Sequence, residues 1–135
     1  MLYKRPFLTF IIGGLGYCLL EVLWRGYTHL SMAVVGGICF MGIGYINARF
    51  KKQRILKRAF LCSFFITAIE LISGIILNIV FNMNVWDYSS LPFNLMGQIC
   101  LYYWVLWFLL CIVIAKASDK FYTVWGQSPN GIKRD

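Results

Sequence analysis

The chain has 135 residues, of which 60% are apolar and only 13% charged, and its formal net charge at pH 7 is +8. Soluble domains carry about 25% charged residues, so this balance predicts a protein whose solvent is the lipid bilayer. The basic residues are confined to short segments between apolar stretches, which argues against a nucleic-acid-binding surface.

Four apolar stretches approach the roughly 20 residues that a helix needs to cross a bilayer. In chain order they are 6–24, 32–47, 60–81 and 93–115. We therefore expect an all-α polytopic membrane protein, with one four-helix domain over residues 1–135 and a short cytoplasmic tail over 116–135. No small-x-small cleavage site follows the first stretch, so we expect it to be retained.

Polar side chains recur on one face of the first and third stretches. In the first, Glu21 precedes Arg25 by four residues, the order that favours an ion pair, and Trp24 suits the headgroup level. Arg25 is expected to be a structural partner of Glu21, although Glu21 also qualifies for a polar pathway. In the third stretch, polar or small residues recur at steps of three and four: Ser63, Thr67, Glu70, Gly74, Asn78 and Asn82.

Glu70 is the residue most indicative of function, because an acidic side chain at the centre of a membrane helix costs about 2.5 to 3.5 kcal/mol. Its own stretch holds no basic residue. We expect either a neutral carboxyl that donates to an amide such as Gln98, or a carboxylate held ionised by Arg25 or a bound cation. Glu70, Asn78 and Gln98 are predicted to line a pathway for a small cationic solute or a proton.

The segment before the fourth stretch carries Trp86 and Tyr88, which suit the headgroup boundary. Asp87 lies between them and is expected either to cap the loop or to add negative charge to a vestibule above Glu70. Pro92 is tolerated in a first helical turn, so the fourth helix is predicted to begin there.

Asn94, Gln98 and Tyr102 recur at steps of four and are predicted to form a polar face on the fourth helix, with Asn94 and Gln98 in the pathway. The two halves of the chain also share short motifs, Leu-Glu then Gly-Ile-Cys in the first and Ile-Glu then Gln-Ile-Cys in the second. These motifs allow a parallel repeat of two helical hairpins around an axis normal to the membrane.

Four packed helices leave little room for a pathway, so a homodimer or other homo-oligomer is expected. Ala33, Gly37 and Gly44 on the second stretch permit close helix contact. The five cysteines include no Cys-x-x-Cys pair and are expected to be packing residues, and His29 is expected to be an ordinary interfacial residue. No catalytic Ser-His or Cys-His arrangement or metal cluster is recognisable, so the sequence predicts no metal, no cofactor and no enzymatic activity.

A set of these residues resembles a known family: Glu21, 24–29 (Trp-Arg-Gly-Tyr-Thr-His), Glu70, 86–89 (Trp-Asp-Tyr-Ser), Asn94, Gly97 and Trp107. They resemble small bacterial four-span proteins labelled as type IV ABC transporters, or CmpB-like, and a vertebrate four-span group with the same Glu and Trp-Asp-Tyr-Ser elements. The resemblance covers residues 13–115 and implies a four-span fold and a permease-like role for Glu21, Glu70 and Asp87. The chain carries no nucleotide-binding motif of the type G-x-x-x-x-G-K-[ST].

Buried carboxylates and amides along one helical face are typical of cation and proton pathways, so a small transporter or ion-conducting protein is favoured. The main alternative is a structural or accessory membrane subunit, in which the same polar groups hold helices together. A lipid-headgroup-binding protein, a membrane enzyme and a lysis pore remain further alternatives.

The distribution of basic residues predicts the topology. Twelve of the 13 Lys and Arg residues flank the stretches on one side, and Arg25 alone lies on the other. By the positive-inside rule we predict a multi-pass plasma-membrane protein with both termini and Lys52 in the cytoplasm. In a cysteine-free background, an impermeant thiol reagent applied to sealed cells should label His29→Cys and Asp87→Cys. Labelling of Lys52→Cys would contradict the topology.

Overall fold

The computed structural model describes residues 4–126, most of which are helical. Four α-helices follow one another along the chain: α1 Pro6–Arg25, α2 Leu30–Arg49, α3 Ile55–Gly74 and α4 Leu101–Gly126. Each of the four, α3 with its extension to Val80, is long and apolar enough to cross a membrane. The prediction of an all-α protein with four candidate spans is confirmed.

Local chemistry fixes the connection between α1 and α2. Gly26 ends α1 in a left-handed conformation, with φ at +82°, and its N–H donates to the oxygen of Val22 at 2.8 Å. His29 caps α2, since its Nδ1 accepts from the backbone N–H of Ser31 at 3.2 Å. His29 therefore has a capping role that its position at the interface did not predict.

The third helix continues beyond Gly74 as a π-helical segment, Ile75–Val80. Short π-helical stretches are rare and are often found at functional sites. Here the segment carries Asn78 on the buried side of the bundle, in line with Ser63 and Glu70. The predicted polar face of the third span is thus turned inward, except for Asn82, which is exposed beyond the end of the helix.

The start predicted for the fourth helix is wrong. The residues from 93 to 100 form a small antiparallel hairpin, in which β1 (Asn94–Leu95) pairs with β2 (Ile99–Cys100). Phe93, Met96 and Gly97 have φ values of +54°, +56° and +69°, which a right-handed helix does not allow.

Three further predictions for this half of the chain differ from the structure. Asn94, Gln98 and Tyr102 do not share a helical face, because the first two lie in the hairpin and only the third in α4. The predicted tail over 116–135 is helical as far as Gly126, and residues 127–135 lie outside the described part of the chain. The proposed repeat also fails at its second motif, since Cys39 lies within α2 whereas Cys100 lies in β2.

Glycines allow α1 and α2 to pack at close range. A Cβ atom at Gly14 would lie 2.5 Å from the backbone oxygen of Ala33, and one at Gly37 would lie 2.6 Å from the ring of Phe10. The small residues Ala33 and Gly37, which the sequence predicted for contact between copies, are therefore used inside the chain.

The core lies between α2, α3 and α4. It is formed by buried apolar side chains of these helices and of the loop after α3: Met32, Val35, Cys39, Ile43, Ala59, Cys62, Ile66, Val85, Trp86 and Cys111. The first helix packs mainly against α2, while α3 packs against both α2 and α4. A groove consequently separates α1 from α4. We call the end with residues 26–29 and 81–100 the hairpin end, and the end with residues 50–54 the basic end.

One basic residue departs from its expected role as a topology signal. Arg58 is only 1% exposed, and its guanidinium binds both carboxylate oxygens of Asp119 on α4, at 2.8 and 2.5 Å. The Asp119 side chain is 38% exposed, so only the Arg58 side of the pair is buried. Removal of Asp119 would leave the buried guanidinium without a compensating charge. This pair therefore links α3 to α4 at the basic end.

The α1–α2 packing gives a test with a built-in control. Gly14→Val inserts a side chain against the backbone of Ala33, so we expect destabilisation of about 1 to 3 kcal/mol. Gly16→Ala, two residues away, meets no atom within 4 Å, and should stabilise α1 by up to about 1 kcal/mol. Detergent-unfolding titrations followed by circular dichroism measure both. Equal stability of the two variants would contradict the packing.

Candidate functional site

The carboxyl group of Glu70 lies inside the bundle on the buried face of α3, and the residue is only 3% exposed. Aromatic side chains approach it from three elements: Tyr17 on α1, Trp107 on α4 and Tyr88 in the loop are all within electrostatic range. The indole N–H of Trp107 faces the carboxyl, but its geometry falls short of a formed hydrogen bond. Glu21 and the thiol of Cys39 also lie within electrostatic range of Glu70.

Within residues 4–126, Glu70 forms no ion pair. Arg25, which was considered as its partner, instead pairs with Glu21, as their four-residue spacing predicts, and donates from Nη1 to the oxygen of Val85 at 3.2 Å. Thr28 also donates to Glu21, at 2.6 Å. The guanidinium is therefore held at the hairpin end and does not compensate Glu70.

Asn78 fastens the loop after α3 to the bundle. Its Nδ2 donates to the oxygen of Trp86 at 3.0 Å and to Oε1 of Gln98 at 2.8 Å, and its Oδ1 accepts from the N–H of Val85 at 2.7 Å. The indole of Trp86 donates to the backbone oxygen of Gln98 at 2.9 Å. The two amides predicted to line a pathway are thus brought together, but their bonds hold the loop in place.

Asp87 and Asn94 organise the loop at its exposed surface. The hydrogen bond from the N–H of Ser89 to Asp87, at 2.8 Å, holds the pKa of the Asp87 carboxyl below its usual value, so the group stays ionised at neutral pH. Asn94 donates to the oxygen of Leu91 at 2.8 Å and accepts from the N–H of Gly97 at 3.0 Å. Of the two roles considered for Asp87, the structure shows the loop-capping contact.

A cavity of about 390 Å³ opens between α1 and α4 at the hairpin end. The pair Glu21–Arg25 lines one wall, and Trp86 and Tyr88 of the loop line another. Burial raises the pKa of the Tyr88 phenol, and the nearby Glu70 raises it further, so this hydroxyl stays neutral and can donate a hydrogen bond. The remaining lining residues are Tyr17, Leu20, Trp24, Met32, Tyr103, Leu106, Trp107 and Leu110.

A second cavity of about 390 Å³ continues the groove towards the basic end, and no charged residue lines it. Tyr17 and Trp107 line both cavities, and their rings stack across the groove with centroids 5.8 Å apart. This stacked pair also adjoins Glu70.

Five of the predicted residues meet around the first cavity: Glu21, Trp24, Arg25, Trp86 and Tyr88. Glu70 lies behind its aromatic wall, whereas Asp87 and Asn94 lie outside it. Tyr17 precedes Glu21 by four residues, so spacing places it on the polar face of the first stretch. Spacing alone predicted no site role for Tyr103 or Trp107, although they lie four residues apart within the predicted fourth stretch and so share a helical face.

Metal-ligating chemistry is not assembled in the described part of the chain, where no group of three or more His, Cys, Asp or Glu side chains lies close enough to hold an ion. The polar groups at and near the first cavity are the buried carboxyl of Glu70, the ion pair Glu21–Arg25 and several phenol and indole groups. Such groups can bind protons, cations or polar headgroups.

The family model described as "Putative ABC-transporter type IV" matches residues 7–133. Because this match covers nearly the whole chain, the chain belongs to that family, as the resemblance of its motifs predicted. No curated protein and no solved structure gives a significant match. The family description indicates a transporter type and names no substrate.

The anchoring role of Asn78 predicts a local effect of its removal. Asn78→Ala deletes the contacts to Val85, Trp86 and Gln98. If two of these bonds are lost without replacement, at about 1 kcal/mol each, amide exchange in residues 81–100 should accelerate roughly 30-fold. Hydrogen-exchange mass spectrometry measures this, with the exposed loop residue Ser90 changed to Ala as control. Unchanged exchange in Asn78→Ala would show that the loop is held by other contacts.

Proposed function

We propose that the protein, as a member of this family, is a small membrane transport protein in which Glu70 binds the transported or coupling cation. The observation that carries the proposal is a carboxyl only 3% exposed, with no ion pair among residues 4–126. Ionisable residues inside membrane spans are rare and commonly mark ion and proton pathways. A bound proton or small cationic solute would supply Glu70 with the positive charge that no basic side chain among residues 4–126 supplies.

The groove between α1 and α4 gives a route to this carboxyl. It is open at the hairpin end beside Glu21 and Arg25, and it leads to the stacked rings of Tyr17 and Trp107 that adjoin Glu70. Separation of these rings would expose Glu70 to the groove. The acidic Glu21 at the entrance is neutralised by Arg25, so Glu70 is the group that selects for positive charge.

We further propose a plasma-membrane location with the basic end and both termini in the cytoplasm. The support is the concentration of Lys and Arg residues at that end. A homo-oligomer is consistent with the groove, since a second copy near α1 and α4 would add walls to the route. In this reading the protein transports and has no enzymatic activity.

A structural or accessory role is the second candidate, and one specific observation favours it. Asn78 and Gln98 were predicted to line the pathway, but their side chains bind each other, and Asn78 also binds the backbone of the loop. Polar groups used in this way hold a membrane protein together, at about 0.6 kcal/mol for an average interhelical bond. Glu70 is the residue that separates the two candidates.

Flux through liposomes that contain only this protein provides the test. Glu70→Gln keeps the shape of the side chain but removes its charge and its titratable proton, so we expect at least tenfold slower proton or cation uptake. The matched control is Asp87→Asn, which neutralises an exposed carboxylate outside the cavity and should transport as the wild type does. Correct assembly of each variant is checked by its circular dichroism and its elution volume.

The outcomes of this experiment divide the candidates. Loss of uptake in an intact Glu70→Gln protein supports transport. Equal uptake by Glu70→Gln and wild type, with normal assembly, would contradict a role for Glu70 in transport and favour the structural candidate.

A further inference from the structure

The two cavities between α1 and α4 adjoin along one groove, because Leu20, Leu110 and the stacked rings of Tyr17 and Trp107 line both of them. The lining extends along α1 from Ile12 to Arg25, a rise of about 20 Å at 1.5 Å per residue. One leaflet of a bilayer has about 15 Å of hydrocarbon and a headgroup layer of about 5 to 8 Å. The groove is therefore about as long as one leaflet is thick.

The polarity of the lining changes along the groove. Glu21, Arg25 and Tyr88 line it at the hairpin end, where the exposed Trp24 also suits a headgroup layer. Further along, the lining is apolar and includes Ile12 on α1 and no charged residue. A bilayer lipid has the same order, with a polar head at the surface and an acyl chain inside.

The charges at the polar end select among headgroups. One carboxylate and one guanidinium line this part of the groove, and they neutralise each other. An anionic headgroup has no positive group to place beside Glu21. A headgroup with both a phosphate and an ammonium can place the phosphate beside Arg25 and the ammonium beside Glu21. The same lining also holds the rings of Trp86, Tyr88 and Tyr103, and aromatic rings attract ammonium groups.

From these observations we infer that the α1–α4 groove binds one zwitterionic phospholipid of the surrounding bilayer. Its headgroup lies beside Glu21 and Arg25, and one acyl chain follows the apolar part towards Ile12. Glu70 does not line the lipid site, so the assignment does not depend on cation binding there, but a bound lipid occupies the route proposed for the cation and would have to move for the cation to pass. A helix of a second copy is a poorer occupant, because it would bury the charged pair against apolar side chains.

A steric variant tests the position of the acyl chain. Gly16 lines the apolar part, and a Cβ atom there meets no atom within 4 Å, so Gly16→Leu places its side chain in the groove; circular dichroism and elution volume check that the variant assembles. Leu15→Phe is the matched control, since Leu15 is exposed and does not line the groove. The full-length proteins are placed in nanodiscs that contain phosphatidylethanolamine with a photoactivatable group on one acyl chain. Crosslinked residues are then mapped by peptide mass spectrometry.

Wild type and Leu15→Phe should crosslink at residues that line the groove on α1 and α4. In Gly16→Leu these crosslinks should fall about tenfold, the effect of excluding about two methylene groups from burial. Crosslinks that are absent from the groove, unchanged by Gly16→Leu, or replaced by contacts between two protein copies would overturn the proposal.

A second measurement tests the headgroup. Native mass spectrometry of protein from nanodiscs with equal amounts of phosphatidylethanolamine and phosphatidylglycerol, matched in their chains, should show retention of one phosphatidylethanolamine per chain. The double variant Glu21→Gln, Arg25→Gln should lose this discrimination while keeping the crosslinks along the apolar groove. Preferential retention of phosphatidylglycerol by the wild type would contradict the assignment.

Discussion

Charged and polar groups within the hydrocarbon of a bilayer have no water to bind, so the protein itself must satisfy them. This requirement is strongest at Glu70, whose carboxyl is buried inside the bundle. Arg25 at the hairpin end does not pair with Glu70, because its guanidinium is already bound to Glu21 and to the backbone oxygen of Val85. Instead, aromatic side chains from α1, α4 and the loop lie within electrostatic range of the carboxyl. The proposed function requires this arrangement, because an unpaired carboxyl can exchange a proton or a cation without first breaking an ion pair.

The same constraint explains the loop between α3 and α4. Irregular backbone is tolerated near a membrane only where its polar groups are satisfied within the protein or by water. Asn78 binds the backbone N–H of Val85 and the backbone oxygen of Trp86, and the indole of Trp86 donates to the backbone oxygen of Gln98. These bonds hold the loop that carries Trp86 and Tyr88 against the cavity. The loop thus closes the bundle over Glu70 on one side, whereas the weak packing between α1 and α4 leaves the groove open on the other.

Much of this arrangement could be predicted from the sequence, because helical spacing carries the information. Steps of three and four placed Glu70 on a buried face, and the order of Glu21 and Arg25 predicted their pair. The hairpin at residues 93–100 could not be predicted in this way, since apolar residues there continue the pattern of α4 and the left-handed backbone at Phe93 gives no compositional signal. The groove could not be predicted either, because it depends on which helices pack together and not on the residue pattern of any single helix.

Infrared difference spectroscopy of the carboxyl band tests the central claim, that Glu70 is an exchangeable intramembrane group, most directly. Spectra of the full-length protein in liposomes are recorded in acidic and in alkaline buffer, and those of Glu70→Gln are subtracted. We predict a protonated carboxyl band in acidic buffer that disappears in alkaline buffer and is absent from the variant. A wild-type spectrum without any Glu70 band that responds to pH or to added cation would contradict the account.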